Sequence, residues 1–250
     1  MNLAKKQRRQ FYRKMQEIRQ GISARSPEWA RRTFGPVVDY LDMLLVDHGI
    51  FRVIYPNRHK ISDVAWRASQ PAPHQIRYYK RLGIRTILNL RGVRDCGSYR
   101  LERAACERHG IRLVDFPVKS RAAPRPEVVR EAKELLASIE YPVLMHCKSG
   151  ADRVGLMSAL YVLLQEGRPI ETAVGQLDWR YGHFKQADTG VLDYFFESYM
   201  RERNGRARNG DARLPFLEWV ETRYQPDELK DLFKSQTWAN TVVNKVLRRE

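Results

Sequence analysis

The stretch that most constrains this chain is residues 141–166. Tyr141-Pro142-Val143-Leu144-Met145 is an apolar run of strand length that leads without a break into His146-Cys147. Lys148-Ser149-Gly150-Ala151-Asp152-Arg153 follows, and Val154–Glu166 then reads as a helix of core character. A buried strand, a short glycine-bearing loop and a buried helix, in that order, put the loop at the carboxyl edge of a sheet. Ligand sites of open α/β sheets form at that edge. Successive loop amides converge on one point there, and the helix N-terminus adds partial positive charge. A phosphate dianion is the natural guest.

The rest of the chain supplies the sheet. Phe51–Tyr55, Ala65–Ser69, Arg85–Leu90 and Ile111–Val118 read as further strands. Pro73 opens a helix through Leu82 that Gly83 closes, Ser98–Arg108 is a helix stopped by Gly110, and Glu127–Ile139 is a third. After residue 168 the pattern is helical only, over 169–180, 189–203, 215–223 and 226–235. Arg203–Arg213, rich in Asn, Gly and Arg, reads as an exposed loop. The expected fold is α/β: a central, mostly parallel sheet flanked by helices, with a basic helical N-terminal arm and a helical C-terminal extension. The expected divisions are an arm over 1–49, a catalytic domain over 50–203, and an extension over 204–250 packed on it.

The arm has two readings. Residues 1–35 are basic, with Phe11, Met15 and Ile18 at helical spacing, and Val37–Val46 is more apolar. Such a segment lies on a membrane surface or packs on the catalytic domain, and the docking reading is preferred. The formal net charge of +16 favours polyanionic partners: phosphorylated substrates, anionic lipid surfaces or nucleic acid. No aromatic–basic stacking motif supports nucleic acid. The three cysteines show neither zinc-site nor disulfide spacing, and a reducing compartment follows. With no spanning apolar run and no secretory signal pattern, the expectation is a cytoplasmic protein, with attachment to the inner membrane face as a second expectation.

The loop itself suggests chemistry. Positive field lowers a thiol pKa to about 3.5–7.5, so Cys147 is expected as a thiolate nucleophile that forms a phosphocysteine, which water hydrolyses. Arg153 has a fork that holds two phosphate oxygens at once. His146 is expected to orient the loop. Cys106 and Arg112 repeat the Cys147–Arg153 spacing, but Cys106 falls inside an expected helix with Gly110 at its end.

His146-Cys147-Lys148-Ser149-Gly150-Ala151-Asp152-Arg153-Val154-Gly155 resembles the signature loop of the cysteine-dependent protein-tyrosine and dual-specificity phosphatase superfamily. Trp66-Arg67-Ala68-Ser69-Gln70-Pro71 and Leu82–Arg91 resemble its bacterial members. The resemblance covers roughly residues 50 to 200. It implies a phosphocysteine intermediate with Cys147 as nucleophile, Arg153 as phosphate-binding arginine, and no metal; Lys148, Ser149, Gly150, Ala151 and Asp152 are the expected rest of the phosphate cradle by the convergence of the loop amides, and no cofactor is expected.

Two departures follow. The family often has a hydroxyl residue after the arginine, where this chain has Val154; slower turnover or substitution by Ser149 would result. The family also places a general-acid aspartate on a loop before the cysteine, and Phe116–Ala122 has no carboxylate. Asp115 stands just upstream. Asp152 is the other candidate, in an arrangement similar to myotubularin-type and Sac-type lipid phosphatases, and a neighbouring phosphate would favour its protonated form. Asp152, Asp115 and some other acid all stay open. Lys148 is a candidate contact for a second phosphate or a lipid headgroup. Lys119, Arg121 and Arg125 are candidate flanking cations, and His183 reads as a capping or packed histidine sooner than a site residue. The expected activities are phosphate-monoester hydrolysis on phosphoprotein or on membrane lipid phosphate, of phosphoinositide or lipid A type. A non-catalytic phosphate-binding module and an RNA 5′-phosphatase are the alternatives.

Overall fold

The structure is a computed structural model. It describes residues 27–47, 54–212 and 214–235, together with Gln10, Arg13, Lys14, Glu17, Gly21 and Arg52. Most of the basic arm, including Phe11, Met15 and Ile18, lies outside the described residues. The chain forms two compact units: Met1–Pro117 with Glu140–Ser149, and Val118–Ile139 with Gly150–Glu250.

The first unit holds the sheet. Its strands are β1 (His59–Ser62), β2 (Ala65–Ser69), β3 (Thr86–Asn89), β4 (Arg112–Asp115) and β5 (Val143–Cys147), in the order β1-β2-β5-β3-β4. β1 pairs antiparallel with β2, and the other pairings are parallel. The last of these strands in sequence is therefore central, with Ser69 of β2 beside Cys147 and Asn89 of β3 beside His146. All of β3 and β5 is buried. Burial on both faces is why neither strand shows an apolar–polar alternation. Ile76 and Tyr79 from helix Pro73–Arg81, and Ala105 and Cys106 from helix Gly97–His109, join Ile87 and Leu144 in one core. Gly110 ends the second helix at φ 59°, a conformation that β-carbon crowding penalises in other residues. Cys106 is thus a core residue, and burial pushes its thiol pKa far up.

Two of the expected strands differ in the structure. The first strand among the described residues comes at His59, and in the expected strand Phe51–Tyr55, whose Phe51 and Val53 lie outside the described residues, Arg52 and Ile54 are helical. Its β-branched residues signal a strand, but tertiary contacts decide: the Arg52 side chain is drawn into a buried ion-pair cluster. β4 stops at Asp115, short of Val118. Phe116 N–H still donates to Asn89 O, and Pro117 then has no N–H to continue.

Helix Glu28–Leu41 runs on into a π-helical turn, Asp42–Val46, and packs on helix Gly97–His109. Arg100 Nε and Nη2 donate to Asp39 Oδ1 at 3.0 and 2.7 Å, and Gly97 N–H donates to Asp42 Oδ2 at 2.5 Å. The docking contact is present. The same helix leaves Phe34, Val37, Leu41 and Leu45 exposed at spacings of three and four, a single apolar stripe.

The second unit is helical: Pro126–Ser138, Asp152–Leu160 with a π turn Tyr161–Gln165, Ile170–Val174, Val191–Arg208, Phe216–Thr222 and residues 226–235. The expected helix over 169–180 breaks near Gly175, and a separate 3₁₀ turn spans Trp179–Tyr181. The expected loop Arg203–Arg213 is helical to Arg208, because arginine is a good helix former and outweighs Asn204 and Gly205. Phe195, Phe196, Tyr199, Phe216, Trp219 and Tyr224 form this unit's aromatic core. Their polar tips are satisfied: Tyr199 Oη donates to Leu214 O, Trp219 Nε1 to Glu202, and Tyr224 Oη to Pro124 O.

Candidate active site

Cys147 is the last residue of β5 and is 4% exposed. Lys148 and Ser149 leave the strand, and their carbonyls are held: Asn57 Nδ2 donates to Ser149 O at 2.9 Å, and Gln70 N–H to Lys148 O at 3.4 Å. Gly150 then turns the chain at φ 76°. Ala151 caps helix Asp152–Leu160, whose first bond runs from Gly155 N–H to Ala151 O. Asp152 and Arg153 form its first turn, both half-buried, and Val154 is fully buried. The strand–loop–helix expected from residues 141–166 is therefore present.

Beneath Cys147 lies a buried polar layer. His146 Nε2 sits 2.7 Å from Glu102 Oε1, both side chains fully buried. Gln70 Nε2 donates to Glu102 Oε2 at 2.7 Å, and Gln70 Oε1 accepts from Arg52 at 2.9 Å and from Arg91. His146, expected to orient the loop, thus points its ring at the 97–109 helix; its Nδ1 is 3.4 Å from Cys147 O.

This layer ends on Asp47, which the sequence reading missed. Arg91 grips its carboxylate at 2.6 and 3.1 Å, Arg52 Nη2 lies at 3.1 Å, Lys148 Nζ at 3.0 Å and Ser98 Oγ at 2.8 Å. Burial alone would raise the Asp47 carboxyl pKa, but the Arg91 hydrogen bonds and the charges of Arg91, Arg52 and Lys148 hold it far below the carboxylate range. Lys148 titrates lower than a free lysine, mainly through burial. Its ammonium, expected to meet a second phosphate, is here on Asp47. A lone aspartate at the end of an apolar stretch carries no motif, so no sequence signal marked it.

The two acid candidates differ in surroundings. Asp115, at the end of β4, accepts from Tyr99 Oη at 2.6 Å and Asn89 Nδ2 at 2.7 Å. In register it lies opposite Asn89, which lies opposite His146, two strands away from β5. Both of its oxygens are used in holding the sheet edge. Asp152 Oδ1 is 2.8 Å from His183 Nδ1, and His183 Nε2 is 2.7 Å from Asp193 Oδ2. His183 is packed, as read, but it also reaches the signature loop. Burial disfavours its charged form, yet the two aspartates win and push its pKa up to about 9. The arginine-tyrosine-glycine-histidine run at Arg180–His183 was the available signal, and Gly182 at φ 77° aims it. Lys119, Arg121 and Arg125 are exposed, with Arg121 Nε 4.0 Å from Asp188. Among the described residues no group of His, Cys, Asp and Glu is placed to hold a metal ion, and no helix is long and apolar enough to cross a membrane.

Residues 54–189 match the family model described as a DSP-PTPase phosphatase fused to NAD+ kinase. The chain belongs to this family. Among curated proteins it is 27% identical over 122 residues to a dual specificity protein phosphatase TpbA of Pseudomonas aeruginosa, covering 48% of this chain and 53% of that protein. TpbA of a second strain is 26% identical over 167 residues, covering 66% of this chain and 64% of that protein. The chain therefore spans between half and two thirds of those relatives. It is 28% identical over 209 residues to the inositol diphosphatase DSP4 of Arabidopsis thaliana, covering 81% of this chain and 83% of DSP4. Among solved structures, P. aeruginosa TpbA aligns with a TM-score of 0.47 and 23% identity over 57% of this chain and 84% of TpbA. The family match brings the expected superfamily and its mostly parallel sheet with flanking helices into agreement with the fold.

Proposed function

We propose that this protein hydrolyses phosphate monoesters through a phosphocysteine on Cys147. The observation that carries this reading is the placement of Cys147: the end of a fully buried central strand, followed by a glycine turn and a helix that begins at Asp152-Arg153. Cys147 Sγ attacks phosphorus, the ester P–O bond breaks, and the leaving oxygen takes a proton. Water then attacks, the P–S bond breaks, and phosphate leaves. Loop amides and the Arg153 fork hold the equatorial oxygens as charge builds on them. His146 and Glu102 act from below the loop, as a buried pair that fixes the strand end.

The substrate class favoured is a membrane-borne lipid phosphate. The exposed stripe Phe34–Val37–Leu41–Leu45 sits on a helix of a strongly basic chain, a combination suited to an anionic bilayer surface. DSP4 is named for an inositol diphosphate and TpbA for protein substrates, and neither name specifies a membrane lipid.

The test uses an aryl phosphate, a phosphotyrosine peptide and vesicles carrying a phosphoinositide. Cys147→Ser should abolish turnover of all of them, and activity surviving in that variant would overturn the mechanism. Burst release of one equivalent of alcohol with a stable phosphoprotein would instead assign a binding module, as Val154 permits. Faster turnover of the peptide than of the vesicle lipid would assign a protein phosphatase.

A further inference from the structure

Two helices of the second unit converge on one histidine. Asp152 opens one of them and Asp193 lies in the first turn of another, and His183 is clasped between them at 2.8 and 2.7 Å with 1% of its side chain exposed. Each of these nitrogen–oxygen contacts needs one proton. A neutral imidazole carries a single N–H and would leave a nitrogen lone pair facing a carboxylate oxygen. The cluster therefore holds two protons among three groups: an imidazolium between two carboxylates, or a neutral histidine with one aspartic acid. These forms differ only by the position of one proton along a hydrogen bond. Asp152 and Asp193 are the charged groups facing the ring, one from each helix. Lys185, from the same loop as His183, is paired with Glu197.

We propose that His183 is the proton store of the signature loop, supplying the proton that Asp152 passes to the leaving oxygen and taking it back from water in the second step. The inference rests on the phosphatase reading above. When a phosphate dianion occupies the loop, like charge favours moving the His183 Nδ1 proton onto Asp152. Cys147 Sγ bonds to phosphorus, the ester P–O bond breaks, and the leaving oxygen takes the Asp152 proton. The cluster is then one proton short. Attack of water on the phosphocysteine breaks P–S, and the water proton returns through Asp152 to His183. Ester and water become alcohol and phosphate, and the cluster is restored. Asp193 holds the ring in place and favours its charged form, in agreement with a histidine that stays protonated up to about pH 9. His183 acts through Asp152, so it is a positioning residue that stores a proton.

The test compares His183→Gln, Asp152→Asn and the double variant in the full chain, with an alkyl phosphate and p-nitrophenyl phosphate. An alkoxide needs a proton to leave and a nitrophenolate hardly does. His183→Gln should lower kcat on the alkyl ester about 100-fold or more, the usual weight of a general acid, and on the aryl ester about threefold or less. Asp152→Asn should show the same split, and the double variant should lose no more than Asp152→Asn alone. In the parent protein, kcat on the alkyl ester should fall above about pH 9, and Asp193→Asn should bring that limb to lower pH. Equal loss on both esters with a raised KM would show a structural clasp only and overturn the proposal. So would an Asp193→Asn limb that stays in place, a readout that decides the matter even where His183→Gln does not fold. Failure of the parent to hydrolyse either ester would instead overturn the phosphatase reading.

Discussion

At the scale of single residues, the neighbours Cys147 and Lys148 are held in opposite ways. Cys147 ends a strand buried on both sides, whereas Lys148 reaches the carboxylate of Asp47, just past a helix about a hundred residues earlier in the chain. That carboxylate, Asp47, has three cations and a hydroxyl around it, so its charge is what the cluster is built to hold. Asp47→Asn keeps the volume and removes the charge. It should destabilise the protein by about 3–5 kcal/mol, the usual effect of leaving buried charges without their partner, measured as a drop in urea midpoint at constant m-value. Lys148→Met, which takes away the most exposed of the three cations, should cost far less. Equal losses would show that Lys148, not the arginine pair, sets the cluster's energy. The Cys147–Arg153 spacing was legible in sequence because it is local, and the Cys106–Arg112 spacing was rejected by the same local context. Asp47 and the Asp152–His183 contact were not legible. Both join residues that only the tertiary fold brings together, across separations of 101 and 31 positions that carry no periodic signal.

At the scale of elements, the strands that read most clearly were those buried on both faces. β3 and β5 are short segments centred on Ile87-Leu88 and Val143-Leu144-Met145, and they form within a residue or two of expectation. Within the expected strand Phe51–Tyr55, Arg52 and Ile54 are instead helical, and Arg52 reaches Asp47 and Gln70. The docking of helix Glu28–Leu41 rests on a similarly hidden feature, Gly97. A Cβ added there would lie 2.2 Å from Asp39 O and 2.8 Å from Asp39 C, so the glycine is what lets the two backbones touch. Backbone atoms do not yield as a flexible side-chain end does. Gly97→Ala should therefore displace the helix and break the Asp39–Arg100 and Asp42–Gly97 contacts. Limited proteolysis should then cut within 28–47 while the sheet stays protected. An unchanged digestion pattern would mean that the helix is held mainly by Asp47. The apolar stripe on the same helix is tested separately. If Phe34, Val37, Leu41 and Leu45 are the surface that meets lipid, Val37→Glu with Leu41→Glu should weaken binding to anionic vesicles at least tenfold, with p-nitrophenyl phosphate turnover as the control for folding. Unaltered vesicle binding would take the stripe out of the membrane reading.

At the scale of the whole molecule, the two units carry opposite pH dependences. The Asp47 carboxyl in the first unit titrates below its unfolded value, so its contribution is present above about pH 4 and is lost as pH falls. His183 in the second unit titrates above its unfolded value, at about 9 against 6.5. Its contribution is complete below about pH 6.5 and is lost as pH rises through about 9. Acid should thus loosen the first unit first and alkali the second. Hydrogen exchange read peptide by peptide distinguishes them, with parent and variant compared at the same pH so that intrinsic exchange rates cancel. At about pH 2, well below the unfolded carboxyl value, exchange over 86–115 should rise ahead of exchange over 191–222. At pH 9.5 the order should reverse. Asp47→Asn should remove the acid effect in the first unit and leave the alkaline effect in the second, and His183→Gln should do the converse. If both units open together at both extremes, then one cooperative transition couples them, and the two clusters contribute to a single stability.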